Sequence, residues 1–115
     1  MIEVTIFKDN KGYIQKYNVS GHADYDVIGK DIVCAAVSML AQTTLNSLIE
    51  VCKLTQDQVS YFIEDENGVL EVIISKKISM EVRDKVEIVL KTFEVGIKSI
   101  ISNYSEYVTL KYKEV

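Results

Sequence analysis

From Ile32 to Cys52, apolar and small residues follow one another with few interruptions: Ile32-Val33-Cys34-Ala35-Ala36-Val37, then Met39-Leu40-Ala41, Leu45, Leu48, Ile49 and Cys52. The stretch is too long for a strand, so the spacing predicts one buried helix over Asp31 to Lys53. The chain contains no proline, which removes any linker or polyproline segment. A fold holding this helix must supply an apolar surface to lay over it.

The flanking segments supply one. Ile2 to Phe7 alternates Ile2, Val4 and Ile6 with Glu3, Thr5 and Phe7, and Tyr13 to Val19 alternates again after Asp9-Asn10-Lys11-Gly12, predicting an antiparallel hairpin. Gln58 to Ile63 and Val69 to Ser75 are rich in β-formers and flank Asn67-Gly68, a strong hairpin signal. Ser79 can cap an amphipathic helix whose stripe is Val82, Val86, Val89, Phe93, Ile97 and Ile100, with Arg83, Asp84, Glu87, Lys91, Glu94 and Lys98 outside it, ending near Ser102-Asn103. Tyr104 to Tyr112 closes the chain as a strand. The order β-β-α-β-β-α-β predicts an α+β fold, an α/β two-layer sandwich with one sheet and two packed helices. At 115 residues this is a single domain, 1–115, able to fold without disulfides or metal.

Charge narrows the function. A net charge of −4 favours basic partners and disfavours direct nucleic acid binding, so an RNA-binding role ranks low. No leader pattern is visible and no apolar run reaches the ~20 residues of a membrane span, so a cytoplasmic location and no membrane association are expected. At about 1.5 Å per residue, Cys34 and Cys52 would lie roughly 27 Å apart on one helix, which predicts free thiols. One His and two Cys give too few ligands for a zinc site, so no metal or cofactor is expected.

The chemistry concentrates in two places. The only histidine, His22, sits in Gly21-His22-Ala23, twelve positions (34 − 22) before Cys34, and Asp31 is a favoured N-cap type that would set Cys34 in the first turn of the long helix. An imidazolium and a helix N-terminus are the two usual devices that stabilise a thiolate. The backbone N–H groups around Cys34 and Ala35 could act as an oxyanion hole. Gly21 and Gly29 bound a segment that could hinge as a lid. Asp24, Asp26 and Asp31 are all candidates to orient His22, and spacing chooses none of them. A cysteine in an apolar helix is more often a small core residue than a nucleophile, and Cys52 is read that way. The acidic pair Asp65-Glu66 is read as solvated.

Gly21-His22-Ala23, Gly29 and Asp31-Ile32-Val33-Cys34-Ala35-Ala36-Val37-Ser38, in that order and at that separation, resemble the ribosomal-processing cysteine proteases of Firmicutes and related bacteria. The resemblance implies a cysteine endopeptidase, with Cys34 the nucleophile, His22 the base, and Asp31 and Ser38 in support. It further implies a homodimer that removes the N-terminal extension of a large-subunit ribosomal protein during ribosome maturation, cutting after an aromatic residue in a basic tail. Ser38 lies one helical turn beyond Cys34 on the same face. Asp24 and Asp26 could bind the basic residues of that precursor. The alternative is a non-catalytic ribosome-associated protein-binding module.

Overall fold

The computed structural model describes residues 1–27 and 31–115. Its elements run β1 (Ile2–Lys8), β2 (Ile14–Ser20), α1 (Ile32–Glu50), β3 (Val59–Glu64), β4 (Val69–Ile74), α2 (Met80–Tyr104) and β5 (Val108–Glu114), the expected order. Among the described residues they form one five-stranded sheet, ordered β3-β4-β2-β1-β5, in which only the β1–β5 pair is parallel. The two helical connections are therefore crossovers, α1 carrying the chain past β4 and α2 carrying it past β2 and β1. Such connections put both helices on one side of the sheet.

Tyr17 identifies that side. Its hydroxyl donates to the Ala41 carbonyl of α1 at 2.8 Å, and its ring lies 4.4 Å from that of Phe93 on α2. Ile6, Tyr17 and Val72 are in register across three strands and all are fully buried, so they form the floor on which both helices sit. Burial pushes the Tyr17 phenol up. The opposite face carries ion pairs, Lys16 with Glu71 at 2.8 Å and Lys111 with Glu3 at 3.0 Å, beside the exposed Phe62 and Ile73. Helix α1 reaches the length and apolarity of a membrane span, with mean hydropathy 1.6, more than the reading of its separate apolar runs allowed. Val33, Val37, Ala41, Leu45 and Leu48 nonetheless bury one face of it within the core.

One expectation of the helical stripe fails. Arg83 and Glu87, placed outside it by periodicity, are only 4% and 7% exposed. Arg83 donates to the Ile14 carbonyl at 3.0 Å and to Gln15 Oε1 at 2.9 Å, while Glu87 Oε1 accepts the Ile14 N–H at 2.7 Å. Both backbone groups of Ile14 are satisfied this way, beside the register shift between Phe7 and Lys8 where the β1–β2 ladder is irregular. A buried charge persists when it is hydrogen-bonded, and these two are, each through the Ile14 backbone.

Candidate active site

Strand β2 ends at Ser20, and the chain turns at Gly21 with φ +92°, where a Cβ would overlap the Met1 carbonyl. The Gly21 N–H donates to the Asn67 carbonyl at 3.1 Å, docking the strand end onto the β3–β4 turn. His22 follows, exposed, with Nε2 3.1 Å from the Glu66 carbonyl oxygen. Ala23 is buried, and Tyr25 stacks edge-on against Tyr107 and Tyr104, with centroids at 5.1 Å and 5.7 Å. These contacts hold residues 23–25 against the corner between α2 and β5. Gly29, the second expected hinge, lies outside the described residues, as does the end of the expected lid segment.

Helix α1 begins as expected. Asp31 is its N-cap, and Oδ1 accepts the Cys34 N–H at 2.9 Å while Oδ2 accepts the Tyr25 N–H at 3.1 Å. Burial raises the Asp31 carboxyl, but the N–H groups of Cys34, Tyr25, Asp26 and Val33 together outweigh it and hold the carboxyl below the ordinary carboxylate range. The oxyanion expectation needs correction here. The Cys34 N–H is spent on the Asp31 side chain and the Ala35 N–H on the Asp31 carbonyl at 3.1 Å, so neither is a free donor. A capping carboxylate and an oxyanion compete for the same first-turn amides.

Cys34, His22, Ser38 and Asp65 sit on the divide between two adjoining clefts. One, of about 150 Å³, is floored by apolar side chains including Val19, Val37, Ala41, Ile63 and Leu70. The other, of about 630 Å³, is rimmed by Asp24, Asp26, Asp31, Asp65 and Glu66, with Ala35 at its edge. Thus His22, Cys34, Ser38, Asp31, Asp24 and Asp26 are gathered in one place, although they come from a strand end, a connection and a helix. Among the described hydrogen bonds, none joins a carboxylate to His22.

Asp65 and Glu66 are the residues that sequence reasoning passed over. They face the clefts because the sheet order puts the β3–β4 turn beside the end of β2, and nothing local to Glu64-Asp65-Glu66-Asn67-Gly68 reveals this. Cys52 is buried and free, as expected of a core residue.

A family model described as "Cysteine protease Prp" matches residues 1–109. The "Ribosomal processing cysteine protease Prp" of Staphylococcus aureus strain Mu50 is 28% identical over 98% of this chain and 100% of its own length. The protein of the same name from Bacillus subtilis strain 168 is 23% identical over 92% of each chain. Among solved structures, the S. aureus Prp protease with a covalently linked product peptide superposes with a TM-score of 0.84 at 28% identity, covering 98% of this chain and 100% of that one. SMU.848 from Streptococcus mutans superposes at 0.81 with 30% identity, covering 100% and 96%. These likenesses favour the protease over the non-catalytic binding module.

Proposed function

This chain belongs to the cysteine protease Prp family, and from that premise we propose that Cys34 is its nucleophile, His22 its general base, and the extended N-terminus of a large-subunit ribosomal protein precursor its substrate. His22 takes the Cys34 thiol proton, and the thiolate adds to the scissile carbonyl. The dipole of α1 favours the negative charge of the tetrahedral oxyanion, while the Cys34 and Ala35 amides stay held by Asp31. Its collapse leaves a thioester on Cys34 and expels the amine, which receives the proton from His22. Water activated by the same imidazole then releases the acid product. Asp31 supports the reaction by setting the first turn of α1, and Ser38 by lining the clefts beside Cys34.

One observation carries this reading: Cys34 and His22 lie where an apolar pocket meets an acid-rimmed groove. A substrate cut after an aromatic residue within a basic segment fits both, its ring in the pocket and its cations along Asp24, Asp26, Asp65 and Glu66. The net charge of −4 draws a basic tail and disfavours the RNA around it. The place of action is the cytoplasm, where the precursor is made. A homodimer fits the exposed Tyr61, Phe62 and Ile63 on edge strand β3, an apolar surface for a second copy.

The test is a peptide spanning the extended N-terminus of that ribosomal protein from the same organism, incubated with the protein and with a Cys34→Ala control, the products read by mass. One cut, lost in the variant, supports the reading. An intact peptide beside folded protein overturns it.

A further inference from the structure

Cysteine hydrolases usually hold the basic imidazole with a third group, and here the three aspartates expected to orient His22 are otherwise engaged. Asp31 binds the N–H groups of Cys34 and Tyr25, Asp26 Oδ1 accepts the Val27 N–H at 2.7 Å, and Asp24 Oδ2 lies 3.8 Å from the Met1 amine. The bond His22 does make runs from Nε2 to the Glu66 backbone carbonyl. A carbonyl oxygen can only accept, so Nε2 must carry the hydrogen, and Nδ1 is left with the lone pair. A base that takes the Cys34 proton through Nδ1 needs this tautomer.

The β3–β4 turn is built to bring that carbonyl in. Gly68 has φ +63°, and its N–H closes the turn onto the Asp65 carbonyl at 3.2 Å. A Cβ on Gly68 would stand 2.5 Å from the Gly21 carbonyl oxygen and 3.2 Å from His22 Cε1, so only glycine lets the turn approach this closely. Asn67 adds a second tie through its carbonyl to the Gly21 N–H, and its side chain donates to Glu64 at 2.9 Å and 3.0 Å, bracing the turn.

We infer that the Glu66 backbone carbonyl, presented by the Gly68 turn, orients His22 in the role an acidic or amide side chain fills in other triads, with Gly68 as the positioning residue. The inference rests on His22 being the base. When Nδ1 accepts the Cys34 proton, the ring becomes cationic and the Nε2–H···O=C bond becomes charge-assisted, roughly twice as strong as its neutral form. The device is independent of which side chain residue 66 carries.

Because His22 is the only histidine, nitrogen-15 spectra of its ring need no assignment. The wild type should show a neutral ring protonated at Nε2, with that proton visible because the bond slows its exchange with water. Gly68→Ala should lose the signal and lower kcat about tenfold with KM nearly unchanged, a part of the usual general-base contribution. Glu66→Ala should keep the signal. An Nδ1–H ring in the wild type, or an Nε2–H exchanging as fast as in free histidine, overturns the inference, and this holds even if Gly68→Ala does not fold. So does a folded Gly68→Ala with unchanged spectrum and kcat. Peptide cleavage alongside an Nδ1–H ring removes this inference alone, whereas a wild type that cuts no peptide removes the reading of His22 as base beneath it.

Discussion

The Asp31 side chain caps the helix that carries Cys34 by accepting the Cys34 N–H at 2.9 Å. Replacing an N-cap carboxylate with Ala typically costs about 1 kcal/mol, so Asp31→Ala should lower Tm by roughly 4 °C. Asp31→Asn keeps one acceptor for the cap and removes the charge together with the second acceptor, which holds the Tyr25 N–H. Because the folded carboxyl titrates below its unfolded value, its stabilisation is present above the unfolded value and is lost as pH falls through the folded one. The gap in Tm between wild type and Asp31→Asn should therefore shrink from about pH 6 to about pH 3. A gap that stays constant over that range would contradict the assignment.

The two thiols should react differently. Cys34 opens onto both clefts, whereas Cys52 is buried, and burial pushes its thiol up against the weaker pull of Lys85. Near neutral pH, iodoacetamide should modify Cys34 at least about tenfold faster than Cys52, and faster than a thiol in the denatured chain. Peptide mapping after timed alkylation reads both rates. Equal rates would remove the case for an activated thiol.

Neutralising the groove should weaken substrate capture more than chemistry. Exposed charge pairs are worth about 0.2–1 kcal/mol each, so Asp24→Asn with Asp26→Asn should raise KM for a basic peptide a few-fold and leave kcat nearly intact. Added salt should narrow the difference, since it screens the same attraction in the wild type. Unchanged steady-state kinetics would discard any part for these two carboxylates.

The buried pair on α2 makes a stability prediction far from the clefts. Arg83→Met leaves the Ile14 carbonyl and Gln15 Oε1 without their donor, at about 1–3 kcal/mol each, and removes the positive charge that offsets burial of the Glu87 carboxylate. Removing Glu87 in the same chain should recover part of that, so the double variant will be less destabilised than the sum of the singles. Urea unfolding of the four proteins closes the cycle, and strict additivity would mean that the two side chains do not act as a unit.

Much of this was legible in the sequence because it is local. The alternation in Ile2 to Phe7, the Asn67-Gly68 turn, the Ser79 and Asp31 caps and the stripe of α2 each depend on residues a few positions apart, and the elements lie within a few residues of where those signals put them. What stayed hidden depends on sheet order. Arg83 and Glu87 look like surface charges on a helical wheel, yet their partner, Ile14, is 69 and 73 positions away. Asp65 and Glu66 are exposed, as a solvated loop should be, and that they also rim the clefts shows only once β3-β4 is laid beside β2. The oxyanion expectation failed for a different reason: the cap that places Cys34 also consumes its N–H.

The Tyr17 hydroxyl holds the Ala41 carbonyl seven positions (41 − 34) beyond Cys34, two turns along the same helix. A helix lying on a flat sheet can roll about its axis, and each residue of roll swings its side chains by about 100°. To roll α1, that buried bond must be broken, leaving a phenol and a carbonyl unpaired at about 1–3 kcal/mol each. Tyr17 therefore fixes the angular phase of the helix, and a buried phenol two turns away keeps Cys34 facing the clefts it shares with His22.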